Sequence, residues 1–112
     1  MMTFEHSRIG STIVVSLGGR IDAQTLPVFD NHIQRLLNDG ESSFIIDFEN
    51  VEYLSSAGLR GLLKLTKETK ARGGKTIITA ANDNIMHLFK ISGFDKIFTI
   101  AKDLLEATGM VL

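Results

Sequence analysis

The sequence predicts an α/β domain, a mostly parallel sheet that opens with an antiparallel hairpin and is covered by about four helices. Three observations predict it. Short β-branched or continuous apolar runs alternate along the chain with segments whose apolar residues recur every three or four positions. After an opening pair of strand candidates this alternation is regular, as in a sheet built from strand–helix–strand units. Glycines at 10, 18–19, 40, 73–74 and 93 punctuate the segments where one kind gives way to the next.

The first strand candidate is Thr3 to Arg8. The second, Thr12-Ile13-Val14-Val15-Ser16-Leu17, ends at Gly18-Gly19. The link between them, around Gly10-Ser11, is too short for anything but an antiparallel hairpin. The period then changes. Leu26, Phe29, Ile33, Leu36 and Leu37 form one helical stripe, with Thr25 and Pro27 at its start and Gly40 after its end. Phe44-Ile45-Ile46-Asp47-Phe48 is a nearly continuous apolar run, the pattern of a strand covered on both faces.

The second helix is expected from Ser56 to the Gly73-Gly74 stop, with Leu59, Leu62, Leu63 and Thr66 as its core stripe and Leu65 off that stripe as an exposed apolar contact. Thr76 to Thr79 reads as a strand. Asp83 is expected to cap a third helix with the stripe Ile85, Leu88 and Phe89 and with Gly93 just past its end. Ile97 to Ile100 forms a short last strand, and Leu104, Leu105 and Ala107 fall in a final short helix. Residues 1–112 show no repeat, low-complexity tract or linker and are expected to make a single domain.

Composition narrows the function classes. The net charge of -1 provides no global field toward nucleic acid or an anionic membrane. The basic set Lys64, Lys67, Lys70, Arg72 and Lys75 lacks interleaved aromatics and reads as a solvated face, so no nucleic-acid partner is expected. No cysteine is present, which excludes a disulfide framework and Cys-based catalysis or metal binding. His6, His32 and His87 are scattered, without metal-site spacing, and no metal or cofactor is expected. No apolar run approaches a membrane span, and the first ten residues lack the apolar segment of a signal peptide, so a cytoplasmic protein is the expectation, and its short length and balanced charge suit a monomer. No nucleophile elbow, P-loop or nucleophile–base pair is visible, which argues against an enzyme. Asp47 at the end of a buried strand raises the alternative of a two-component receiver, but Gly18-Gly19-Arg20 occupies the place where a receiver needs a magnesium-holding acidic cluster.

The segment between the third strand and the second helix, Val51-Glu52-Tyr53-Leu54-Ser55-Ser56-Ala57-Gly58-Leu59-Arg60, lies where open α/β sheets place functional loops. The first turn of a helix offers unpaired N–H groups and the positive end of the macrodipole, so it accepts an oxyanion. A phosphoserine placed there keeps the helix and changes the surface by nearly two charges. Spacing alone leaves two readings of Ser55 and Ser56, a plain helix cap, which is the commoner use of serine at such a place, and a phosphorylated switch.

The run Tyr53-Leu54-Ser55-Ser56-Ala57-Gly58-Leu59-Arg60 resembles the signature of STAS domains of the anti-sigma-factor antagonist family. Gly19-Arg20-Ile21-Asp22, the strand Phe44 to Phe48, Gly73-Gly74-Lys75, and Leu88-Phe89 with Ser92-Gly93 resemble further family patterns in the same order. The resemblance covers nearly the whole chain. It implies a STAS fold and a binding module in place of an enzyme. Ser56 falls on the family's phosphorylated position. Ser55 falls where many members carry Asp and stands as the reserve acceptor. Asp22, Ser55, Ala57, Gly58 and Arg60 are the implied partner-binding residues. Read from the residues alone, Asp22 is more readily a turn residue and Arg60 more often a solvated helix residue, while Gly58 reads as clearance for a partner, with close packing on a strand as the alternative.

The implied partners are an anti-sigma serine kinase of the histidine-kinase-like ATPase fold, bound by the unphosphorylated form, and a serine phosphatase of the PP2C type that resets the switch. ATP and catalytic metal then belong to the partners. A STAS regulator of a different target, in biofilm or secretion control or in lipid transport, is the alternative.

Overall fold

A computed structural model describes residues 2–111. The chain runs β1 (Met2–Ile9), β2 (Thr12–Ile21), α1 (Leu26–Asn38), β3 (Ser43–Leu54), α2 (Ser56–Ala71), β4 (Lys75–Thr79), α3 (Asp83–Ser92), a single 3₁₀ turn (Phe94–Lys96), β5 (Thr99–Ala101) and α4 (Leu104–Val111). The five strands lie in sequence order, β1-β2-β3-β4-β5. Strands β1 and β2 pair antiparallel through the tight Gly10-Ser11 turn, and β2 to β5 are parallel.

Successive crossovers that step the same way across a sheet, all of one hand, place their helices on one face. The packing bears this out. Ile13, Val15 and Leu17 of β2, Phe44, Ile46 and Phe48 of β3, and Ile78 of β4 form one core with Phe29, Ile33 and Leu37 of α1, Leu59, Leu62 and Leu65 of α2, and Ile85 and Phe89 of α3. The intervening strand residues Val14, Ile45, Ile77 and Ala101 point to the other face, where Ala107 of α4 covers them. The continuous apolar run of β3 reflects this two-sided burial.

Several boundaries differ from the sequence expectation, each for a local reason. Strand β2 does not stop at Gly18-Gly19 but continues to Ile21, because the register shifts between Ser16 and Gly18 and again between Gly19 and Arg20, with Gly19 at φ +82°. A bulge of this kind uses glycine to bend a strand without ending it. Likewise β3 runs past Phe48. The Asp47 carboxylate accepts the Glu49 amide at 2.9 Å, and buried Val51 and Leu54 resume the pattern.

The buried stripe of α2 is Leu59, Leu62, Leu65 and Thr69, so Leu65 is a core residue at 2% exposure. Leu63 and Thr66 are only partly buried. Thr69 is buried because its hydroxyl pairs with that of Thr76 of β4 at 2.7 Å, a polar contact that apolar periodicity does not register. The cap of α3 is Asn82, whose side chain accepts from the Ile85 amide at 2.9 Å, and Asp83 is the first helical residue. The last strand begins at Thr99, since the turn at Phe94–Lys96 carries Ile97 outward at 51% exposure before Phe98 returns to the core.

Candidate functional site

The C-terminal ends of β2 and β3 and the start of α2 form one hydrogen-bonded unit. Arg20 pairs with Tyr53 and Ile21 with Leu54 across the parallel ladder. The Ser55 amide extends it by donating to the Ile21 carbonyl at 2.9 Å. Ser55 is the N-cap of α2, in extended conformation, and its hydroxyl oxygen accepts from the Gly58 amide at 3.2 Å while its carbonyl accepts from Leu59 at 2.9 Å.

Ser56, the first helical residue, is exposed, and its hydroxyl makes no hydrogen bond among the described residues. The amides of Ser56 and Ala57 are also without a partner among the described residues. The two serines therefore differ. Ser55 is half-buried and spent on the cap, whereas Ser56 presents a free hydroxyl beside two unused N–H donors, at the positive end of a 16-residue helix.

Asp22 follows β2 directly and builds the turn into α1. One carboxylate oxygen accepts from the amides of Gln24 at 3.0 Å and Thr25 at 3.1 Å. Thr25, expected as a helix-capping hydroxyl, instead braces the turn, accepting from the Asp22 amide at 3.0 Å and donating to the Arg20 carbonyl at 2.8 Å. The Thr25 amide holds the Asp22 carboxyl below its ordinary pKa, against desolvation, with smaller help from the Gln24 amide, the Thr25 hydroxyl and Arg20. The other oxygen of Asp22 lies 3.7 Å from Arg20 Nε, and the Arg20 guanidinium carbon lies 4.3 Å from the centre of the Tyr53 ring.

Gly58 is buried. A Cβ there would stand 2.6 Å from Leu54 Cδ1 and 2.8 Å from the Ile21 carbonyl oxygen. The glycine therefore serves close approach of α2 to the strand ends, and the clearance-for-a-partner explanation gives way to packing. Arg60 is exposed on α2 and Ala57 half-buried. Ala57 and Gly61 form one wall of an open groove of about 350 Å³ between α1 and α2, with Leu26 and Pro27 opposite. The Lys64–Asp30 ion pair, 3.4 Å, lies at its rim.

Of the residues singled out in the sequence, Ser55, Ser56, Ala57 and Arg60 lie in the cap and first turns of α2, and Asp22 follows Ile21, whose carbonyl accepts the Ser55 amide. Tyr53 and Arg20 were quoted only as parts of motifs, and their contact was missed. The available signal was register, since both residues stand one step before the chain leaves its strand. Elsewhere, His32 stacks on Phe4 with ring centres 4.2 Å apart, and no group of three or more His, Cys, Asp or Glu among the described residues is placed to hold a metal ion. No helix among the described residues is long and apolar enough to cross a membrane.

The sequence profile described as the STAS domain matches residues 3–107. An anti-sigma-B factor antagonist of Staphylococcus aureus is 29% identical over 79 residues, which cover 70% of this chain and 73% of that protein. The crystal structure of an anti-sigma factor antagonist from Mycobacterium paratuberculosis superposes with a TM-score of 0.89 at 26% identity, covering 99% of this chain and 94% of that one. The Bacillus cell fate determinant SpoIIAA, solved in its phosphorylated form, superposes with a TM-score of 0.76 at 23% identity, covering 98% and 100%.

Proposed function

The chain belongs to the STAS domain family, and from that premise we propose that it is an anti-sigma-factor antagonist switched by phosphorylation of Ser56. The observation that carries this reading is the division of labour at the start of α2, where Ser55 is consumed as the cap and Ser56 is exposed with an unengaged hydroxyl. The names of its relatives, in Staphylococcus and Mycobacterium, support the role in sigma-factor control.

In the unphosphorylated state the surface around Asp22, Ser55, Ser56, Ala57 and Arg60 binds an anti-sigma serine kinase of the histidine-kinase-like ATPase fold. The Ser56 hydroxyl attacks the γ-phosphorus of ATP held by that kinase, its proton leaves to the kinase, and ADP departs. This chain supplies the acceptor alone. The phosphate sits at the positive end of α2, so the helix survives, while nearly two negative charges placed in a fitted interface disrupt it by repulsion and desolvation. A PP2C-type phosphatase removes the phosphate by hydrolysis and restores the binding form.

The test is phosphosite mass spectrometry on the protein from its native cells, with Ser56→Ala beside wild type, and kinase capture by wild type and Ser56→Asp. Phosphate on Ser56 and kinase capture lost in Ser56→Asp are the expected results. Phosphate confined to Ser55 moves the acceptor by one residue and overturns the assignment. Absence of phosphate under every growth condition, or tight kinase capture by Ser56→Asp, overturns the switch.

A further inference from the structure

Helix α2 carries two glycines in its first two turns, and they stand under different constraints. At Gly58 a Cβ would press on the Ile21 carbonyl oxygen at 2.8 Å, so packing on the strand ends requires the glycine. At Gly61 a Cβ would meet only the Leu26 side chain, with Cδ1 at 2.5 Å and Cδ2 at 3.3 Å. Leu26 is half-buried, and the tip of a leucine can turn to another rotamer where a strand carbonyl cannot move. Glycine inside a helix is the poorest choice after proline. Packing does not account for Gly61, and a residue that breaks a local rule without a structural need points to function.

The missing side chain leaves space. Gly61 and Ala57 form one wall of the open groove between α1 and α2, and Leu26 and Pro27 form the other, enclosing about 350 Å³. Small-molecule sites run from about 300 to 1,000 Å³, so this groove suits one or two large side chains better than a lipid or a nucleotide. The charges at its rim, Lys64 and Asp30, stand 3.4 Å apart and oppose each other, so an uncharged, apolar occupant fits it.

The groove is continuous with the switch. Ala23 and Ala57, which line it, directly follow Asp22 and Ser56. Positions 57, 61 and 64 share one face of α2, and at 1.5 Å per residue Gly61 lies about 7.5 Å along the helix from Ser56. A stable interface covers about 800 Å² of each partner, a patch roughly 16 Å in radius. A kinase that brings ATP to the Ser56 hydroxyl therefore covers the groove as well.

We propose that the α1–α2 groove is the anchor pocket for the anti-sigma kinase, filled by an aliphatic or aromatic side chain of that partner, with Gly61 keeping it open. The proposal rests on the reading of Ser56 as the kinase's substrate and gives the groove a separate task. Apolar anchors seated in pockets carry a large share of interface energy. The groove supplies affinity, and the start of α2 supplies the switch.

The experiment uses the kinase that wild type captures, identified by mass spectrometry and purified, with the full chain as wild type and Gly61→Ala. Dissociation constants are measured by calorimetry with ADP, so that no phosphate is transferred, and Ser56 phosphorylation by initial rates with ATP. Gly61→Ala is expected to raise Kd about tenfold and the KM for phosphorylation with it, at unchanged kcat and with a urea midpoint no lower than wild type. The ratio should hold from about 50 to 500 mM salt, because an apolar contact is not screened. Benzoylphenylalanine in place of Asn31, which lines the groove on α1, is expected to cross-link to a kinase segment bearing an apolar side chain. Truncating that side chain to alanine should cost about the same tenfold, and the two changes together no more than either alone. This second variant leaves the fold of this chain untouched, so it gives the same comparison should Gly61→Ala unfold. Equal Kd for Gly61→Ala and wild type, a fall in kcat at unchanged KM, additive losses in the double variant, or a cross-link to a second copy of this chain overturns the anchor. The two readings fail in different ways. Absence of any serine kinase bound by wild type removes the switch and the occupant together, whereas a kinase that phosphorylates Ser56 and binds Gly61→Ala as tightly as wild type removes the groove alone.

Discussion

Ser55 and Ser56 carry the same side chain one bond apart in sequence, and the helix start gives them opposite tasks. The hydroxyl of Ser55 satisfies the Gly58 amide, an orphan donor of the first turn, and that of Ser56 satisfies nothing among the described residues. Replacing a capping serine by alanine costs about 1 kcal/mol, whereas an exposed substitution outside such a contact stays within about 0.5 kcal/mol. Ser55→Ala is therefore expected to melt several degrees below wild type and Ser56→Ala to melt with it, by circular dichroism. Equal melting of the two variants would remove the cap assignment and with it the reason for preferring Ser56 as acceptor. Sequence alone left this choice open, because both residue type and spacing fit either serine. What distinguishes them is the folded geometry: the extended backbone at Ser55, the bond from its amide to Ile21 and the Gly58 amide on its hydroxyl, against the exposure of Ser56.

At the scale of elements, the contact between α2 and the strand ends is held by the absence of a side chain. Alanine at position 58 gains about 1 kcal/mol of helix propensity over glycine. Its Cβ would lie 2.8 Å from the Ile21 carbonyl oxygen, which is backbone in a strand and cannot yield as the tip of a leucine can. Overpacking of this kind costs about 1–3 kcal/mol, so Gly58→Ala is expected to lower the urea midpoint despite the better propensity. A raised midpoint would mean that α2 does not approach β2 so closely.

The elements themselves were legible where an apolar period is unbroken, as in α1 with Phe29, Ile33 and Leu37. They were misread where polar residues do structural work. Thr69 belongs to the stripe of α2 because it bonds Thr76, Asn82 caps α3 in place of Asp83, and the bulge at Gly19 lengthens a strand that glycine was expected to end. In each case the deciding partner lies in contact across the fold or in backbone geometry, which residue type does not report.

The whole molecule has two cores of unequal size, and the switch belongs to the larger. Helices α1, α2 and α3 share a continuous core with alternate residues of β2, β3 and β4. The other face holds a smaller cluster, Val14, Ile45, Ile77 and Ala101 beneath Ala107 of α4 with Ile9 and Val111 at its edge, and Leu105 of α4 stands at 83% exposure. Regions with few buried apolar contacts open at lower free energy than the main core. A glutamate at position 107 would bury an unpaired charge against that minor core, and the least costly escape is to lift α4 away and leave the rest folded. Ala107→Glu is therefore expected to lose amide-exchange protection in α4 and the three-residue strand β5 while α2 and the central strands keep theirs. The Ser56 end of α2 is built on β2 and β3 and shares no residue with the minor core, so kinase capture should match wild type. Loss of protection in α2 along with α4 would show instead that the two faces of the sheet unfold as one unit, and that a change on the outer face reaches the switch.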